Sequence, residues 1–128
     1  MRVITILVNI LRLGVLLAII LGILLWTGNF DNLKPIHMLV GIIVVLTLWA
    51  IGLVQGFQKG GSFGLAAATF VVGLALAIVG LYQENWLTGS FHWVIQVIHL
   101  ILGLSTIGLG EMIAGRTRRR AKNAVVAQ

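Results

Sequence analysis

Cysteine is absent from the 128-residue sequence, and acidic residues are scarce, with three Asp and Glu against nine Lys and Arg. The missing cysteine excludes disulfides, thiolate metal sites, iron–sulfur clusters and cysteine nucleophiles. Charged residues make up 9% of the chain, whereas a soluble domain carries about 25%. So few charges cannot cover a soluble surface. A soluble globular domain, a disordered tail and a stand-alone nucleic-acid-binding protein are therefore excluded.

Long apolar stretches dominate what is present, because 59% of the residues are hydrophobic. A helix needs about 20 mostly apolar residues to span a bilayer. Four stretches qualify, and short polar segments separate them: residues 3–26, 35–57, 63–82 and 91–114. The alternating pattern of a β-barrel is missing. The sequence predicts an all-α, four-helix transmembrane bundle in a lipid bilayer, forming one membrane domain with a basic tail at 115–128.

The positive charges predict the orientation of the bundle. Four spans put both termini on one side of the membrane. Eight of the nine positive residues then lie on that side, with Lys34 opposite: Arg2, Arg12, Lys59, Arg116, Arg118, Arg119, Arg120 and Lys122. Positive residues favour the cytoplasmic side, so both termini are predicted to be cytoplasmic, and in a bacterium the membrane is the cytoplasmic one. We expect the basic tail to fix this topology and to contact anionic lipid, with no nucleic-acid partner.

An internal repeat places one histidine in the second helix and one in the fourth. The segments IHMLVG at 36–41 and IHLILG at 98–103 both read Ile-His, three apolar residues, then Gly. The repeat indicates two helical hairpins of like topology, so these two helices run in the same direction. Counting back from their cytoplasmic ends at 1.5 Å per residue places His37 and His99 at the same depth, roughly 26 Å from that boundary.

Two histidines at one depth, on helices that face each other, are a candidate ligand pair. Gly41 and Gly103 lie one turn below them and leave room for a flat macrocycle, although the same glycines also permit close helix packing without a ligand. Zinc normally needs four ligands, and the Glu-x-x-His motifs of di-iron bundles are missing. A haem needs two axial ligands and an apolar slot. The residues therefore favour one haem b with His37 and His99 as axial iron ligands.

On these two Ile-His-x-x-x-Gly units the chain resembles small four-helix membrane cytochromes b with bis-histidine haem. The resemblance covers residues 3–114. Cytochromes b with two haems carry two histidines about four turns apart on each ligand helix, and this sequence has no second pair. The resemblance therefore implies one haem, in the outer half of the membrane. It implies electron transfer with a quinone, or as an accessory subunit beside other membrane subunits. If the chain is enzymatic, it is a haem-dependent oxidoreductase acting on quinone or a small redox partner.

Three further residues lie near the proposed haem. His92 stands between Phe91 and Trp93 at the outer boundary, which is typical of an interfacial residue, with an iron ligand as the alternative. Lys34 and Trp93 lie near the expected haem edge. Lys34 either pairs with a haem propionate or is a plain loop lysine.

Arg12 and Glu111 are the charged residues within the four predicted spans. Arg12 is expected to reach the cytoplasmic interface with its long side chain or to contact another subunit. Glu111, one turn before Arg116, is expected to form an intrahelical or lipid-facing salt bridge, with a proton relay as the alternative. Other membrane subunits or further copies of the chain are the candidate protein partners. A cofactor-free scaffold or assembly subunit is the main alternative function. A small transporter is a second one, although it lacks the discontinuous helices common in that class.

Overall fold

The computed structural model describes residues 2–128, which form four long helices and two short 3-10 turns, without a strand. Each long helix is long and apolar enough to cross a membrane. The predicted all-α, four-helix bundle is confirmed. The helices are α1 (Arg2–Trp26), α2 (Lys34–Phe57), α3 (Phe63–Tyr82) and α4 (His92–Val126).

Local signals explain where the helices begin and end. Pro35 lies in the first turn of α2, where its missing N–H costs nothing. Ser62 caps α3 by accepting a hydrogen bond from the backbone N–H of Leu65 at 3.2 Å, which satisfies one of the free donors of the first turn. Gly28 and Gly60 have positive φ in the connecting turns.

The fourth helix continues well beyond the span that hydropathy predicts. Its predicted end was residue 114, but α4 extends to Val126 and includes nearly all of the basic tail. Alanine, arginine and lysine are among the strongest helix formers, and no proline or glycine follows Gly115. The tail therefore extends α4 as a charged helix.

Small residues set the distances between the helices. A Cβ added at Gly14 would lie 2.9 Å from the side chain of Val44, and one at Gly73 would overlap the indole of Trp49. Such residues let two helix backbones approach closely. In this way α1 and α3 both pack against α2, which also meets α4 across the bundle.

The tightly packed core lies toward one end of the bundle. Ile4 and Thr117 line one groove there, and Gly60 of the α2–α3 turn lies near the side chain of Arg120. We call this the basic end, since it combines the start of α1, the α2–α3 turn and the last turns of α4. The opposite end, with the α1–α2 and α3–α4 connections, is called the histidine end. The buried apolar cluster includes Ile4, Val8, Leu11, Val44, Leu48, Ile51 and Ile113.

Gln55 joins α2 to α3 at the basic end. Its buried side-chain amide donates to the carbonyl of Ser62 at 2.7 Å and accepts from the Ser62 N–H at 3.2 Å. Gly61 lies beside this arrangement, where a Cβ would overlap the Gln55 carbonyl oxygen. The side chain thus satisfies backbone groups that the turn leaves without helical partners.

Arg12 and Glu111 form an ion pair between α1 and α4. Arg12 Nε donates to Glu111 Oε1 at 2.5 Å and Arg12 Nη2 to Oε2 at 2.9 Å, while Nη1 donates to Asn9 at 2.8 Å. Glu111 therefore forms a salt bridge on an exposed face, as predicted, but with a residue of α1 and not within its own helix. That Arg12 reaches the cytoplasmic interface or another subunit stays a prediction. The two side chains meet because α1 and α4 are adjacent, and a fork-shaped guanidinium matches a carboxylate better than either matches lipid.

Candidate functional site

His37 and His99 come together across the bundle between α2 and α4. Their ring centroids are 6.1 Å apart and their planes are inclined at 64°. Both side chains are half-buried. The sequence predicts that the two histidines lie at one depth, and their contact confirms this. The histidines of the two hairpins therefore form one cluster near the histidine end.

Each imidazole rests on a glycine of the preceding helix. A Cβ added at Gly22 of α1 would lie 3.3 Å from His37 Cε1, and one at Gly80 of α3 would lie 3.1 Å from His99 Cε1. Both distances are shorter than the usual contact of about 3.5–4.0 Å between carbon atoms. The two hairpins therefore repeat the same arrangement, in which a glycine makes room for the histidine ring of the next helix.

Sequence reasoning missed the role of these two glycines. It singled out Gly41 and Gly103 and predicted no contact between the histidines and Gly22 or Gly80. A signal was available in the hairpin geometry, because Gly22 lies four residues before the end of α1 and His37 three residues after the start of α2. Residues at equal distances from a short connection lie at similar depth. Counting along the two helices therefore predicts that Gly22 lies beside His37.

The Nδ1 atoms of His37 and His99 are both buried and have no hydrogen-bond partner among residues 2–128. The Ala18 carbonyl lies close enough to interact with the His37 ring, yet it makes no hydrogen bond to Nδ1. A buried polar atom without a partner costs about 1–3 kcal/mol. The unpartnered Nδ1 atoms therefore lower the stability of the folded bundle. Buried polar groups of this kind in membrane helices are typical of a functional site.

The separation of the rings is that of an edge-to-face ring pair. The centroid distance of 6.1 Å and the inclination of 64° lie within the range of about 4.5–7 Å that packed aromatic rings prefer. A direct hydrogen bond between aligned imidazoles would bring the centroids to about 5.2 Å. Two imidazoles bound to one ion, at about 2.0 Å per bond, would have centroids about 6.3 Å apart, so the same separation also accommodates a metal ion.

Space next to the pair is open on both ligand helices. Gly41 and Gly103 lie one turn from the histidines, and no atom of residues 2–128 comes within 4 Å of a Cβ added at either position. The next inward residues along these faces, Val44 and Thr106, are buried. Side chains therefore pack closely one turn further from the histidine end, whereas the space beside the two glycines is not filled by described atoms. Such a space suits a flat group lying between α2 and α4.

The other predicted site residues lie apart from the pair. His92 Nδ1 lies 3.2 Å from the carbonyl oxygen of Trp86 in the α3–α4 connection, and His99, not His92, faces His37. Lys34 Nζ forms an ion pair with Glu84 Oε1 at 2.8 Å, which links the start of α2 to the α3–α4 connection at the histidine end. Trp93 is 56% exposed, as expected for an aromatic residue at the membrane interface.

The chain offers few donors to a metal ion held only by protein. Among residues 2–128, no group of three or more His, Asp or Glu residues lies close enough together to bind one. A histidine pair alone fits a cofactor that brings its own equatorial ligands. Comparison with known proteins adds no constraint, since no family model, curated protein or solved structure matches the chain.

Proposed function

We propose that the bundle binds one b-type haem between His37 and His99 and serves in electron transfer. The observation that supports this most is the histidine pair itself, with centroids 6.1 Å apart and both Nδ1 atoms buried without a partner. Bis-histidine coordination needs two protein ligands on facing helices. We place the macrocycle at the level of Gly41 and Gly103, where the described chain has no atom within 4 Å of an added Cβ.

Each residue of the site has a distinct part in this proposal. His37 and His99 would hold the haem iron, and Gly22 and Gly80 would position the two rings by packing against their Cε1 edges. The apolar helices exclude water from the pair. A bound haem supplies a one-electron redox couple whose potential depends on its ligands and burial.

The position of the pair constrains the redox partner. His37 is the fourth residue of α2, so it lies only about 5 Å along the helix from its start. A single haem at this depth serves one side of the membrane. A lipid-soluble quinone, or a protein docked at the histidine end, is the partner that such a site can reach, either for this chain alone or within a larger redox complex.

The absorption spectrum of the purified protein tests the proposal. The protein is produced with haem supplied, purified in detergent and reduced with dithionite. We expect the sharp α band of a low-spin b haem at about one haem per chain. His37→Ala and His99→Ala should each abolish the band, whereas His92→Ala should retain it as the matched control. A spectrum without the band in the wild-type protein would refute the proposal.

Leucine substitutions at the two open glycines separate haem binding from folding. Gly41→Leu and Gly103→Leu each place a side chain in space where the described chain has no atoms within 4 Å, so the bundle should still fold. The same side chains would occupy the macrocycle's position, and haem content should fall at least tenfold. Gly108→Leu, at an exposed position with equally open surroundings, should leave haem content unchanged.

A cofactor-free scaffold is the second candidate, and the close fit of each imidazole on a glycine favours it as a way to lock two hairpins together. On that hypothesis, the wild-type protein has no chromophore and co-purifies with a fixed membrane complex. Histidine substitutions would then lower thermal stability without a spectral change.

A further inference from the structure

A groove at the basic end, between α1 and α4, carries the features of an anion site. Its lining includes Ile4, Arg12, Thr117 and Arg118. It lies at the opposite end of the bundle from the histidine pair and is independent of it. Its cavity of about 20 Å³ has room for one water molecule or one oxygen of a larger group.

The floor of this groove holds a hydroxyl group with no partner. Thr117 is 8% exposed, and its Oγ1 atom is buried without a hydrogen bond to any group of residues 2–128. Threonine hydroxyls within helices usually donate to a carbonyl one turn back, as Thr47 does to Ile43 at 2.6 Å. The hydroxyl of Thr117 is therefore not engaged within the helix, and rotation about the Cα–Cβ bond would turn it toward a group held in the groove.

The charges around the groove favour an anion. Glu111 is neutralised by Arg12, so Arg118, which also lines the groove, leaves it with a net positive charge. Arg116 and Arg119 line a separate cavity beside Glu111 and not this groove. An anion in the groove would thus meet the Arg118 guanidinium and a hydroxyl donor, the combination that binds phosphate oxygens.

The depth of the groove matches that of lipid headgroups. Thr117 lies 25 residues after the start of α4, which is roughly 38 Å along the helix. The hydrocarbon core is about 30 Å thick, so the groove lies just outside it, on the side that the positive charges mark as cytoplasmic. Anionic phospholipids are concentrated at that surface, and basic pockets between membrane helices bind their headgroups.

We propose that the α1–α4 groove is a specific binding site for the phosphate of an anionic phospholipid, with Thr117 as hydroxyl donor and Arg118 as the charged partner. The site is more selective than the diffuse attraction that the whole basic segment exerts on a membrane. Free phosphate shares the same chemistry and is the other source that an experiment must separate.

Native mass spectrometry of the detergent-solubilised full chain tests the site by counting bound lipids. The probes are dioleoyl phosphatidylglycerol, dioleoyl phosphatidylcholine and inorganic phosphate. We expect one phosphatidylglycerol to bind well before further copies, and neither phosphatidylcholine nor inorganic phosphate to compete for that position. Equal binding of the zwitterionic lipid would overturn the preference for an anionic phospholipid. Displacement of the lipid by inorganic phosphate at comparable concentration would overturn the assignment to a lipid.

Matched variants distinguish the groove from general charge. Arg118→Gln should weaken the first phosphatidylglycerol about tenfold, the effect of losing one hydrogen bond to a charged group. Thr117→Val keeps the shape and removes the hydroxyl, so it should also weaken that lipid. Arg119→Gln removes the same charge outside the groove and should change the affinity less than twofold.

Two results would contradict the site. If Arg119→Gln weakens binding as much as Arg118→Gln, attraction is diffuse and the groove is not a site. If Thr117→Val binds the lipid as tightly as wild type, the cavity holds only a water molecule. Should Thr117→Val fail to fold, the comparison between the two arginine variants decides the question.

Discussion

Valine in place of Gly80 gives the sharpest test of how the bundle holds its histidine pair. A Cβ at this position would lie 3.1 Å from His99 Cε1, so alanine requires the ring to retreat by about 0.4–0.9 Å to reach normal carbon contact. The γ-methyl groups of valine extend about 1.5 Å further. Gly80→Val therefore displaces the imidazole by up to about 2 Å, whereas metal–ligand distances tolerate about 0.2 Å.

The effects on haem and on stability should differ between the two substitutions. Replacing a helical glycine by alanine gains about 0.5–1 kcal/mol in backbone entropy, and overpacking costs about 1–3 kcal/mol. The melting temperature of Gly80→Ala should therefore lie within a few degrees of the wild-type value, but this variant should bind haem more weakly. Gly80→Val should bind less than a tenth of the wild-type haem.

The assay is haem per chain, from the pyridine haemochrome spectrum, with thermal unfolding of the same samples as the measure of folding. Gly22→Val should lose less haem than Gly80→Val, because its Cβ would lie 3.3 Å from His37 Cε1. Gly108→Val is the matched control, as the described chain has no atom near its Cβ. Wild-type haem content in a folded Gly80→Val protein would refute the reasoning, as would an equal loss in Gly108→Val.

Three further substitutions test the packing of the bundle by thermal unfolding in detergent. Gly52→Ala would drive a methyl group into the Thr69 hydroxyl and should destabilise the protein by about 1–3 kcal/mol; adding Thr69→Ala should recover part of the loss, and no loss at all would contradict the close approach of α2 and α3. Gln55→Ala leaves the Ser62 backbone groups without partners and should cost about 1–3 kcal/mol, whereas Gln58→Ala, on the same turn, should cost little. Arg12→Glu and Glu111→Arg should each lower the melting temperature, and the double variant should restore most of it because the ion pair is re-formed with the charges exchanged; a double variant no better than either single one would disprove the pairing.

Much of the fold follows from the sequence because its determinants act locally along the chain. The predicted boundaries of α2 and α3 agree with the structure to within one residue, since hydropathy, Pro35 and Ser62 mark these ends directly. The end of α4 was predicted 12 residues too early, because hydropathy reports where a span leaves the lipid and not where the helix stops. Helix propensity continues through the basic segment.

The candidate site, like the fold, was predicted only in part from the sequence. The sequence by itself determined that His37 and His99 lie at one depth on parallel helices, because a repeated motif in helices of constant rise places equivalent residues at equal heights. Only the tertiary structure decided which glycines receive the imidazoles, that the level of Gly41 and Gly103 stays open, and that Arg12 meets Glu111 across 99 residues of sequence. These contacts depend on how each helix is rotated about its axis and on how closely the helices approach. In a chain that is apolar on nearly every face, hydrophobic periodicity does not define that rotation, and the packing of small residues does.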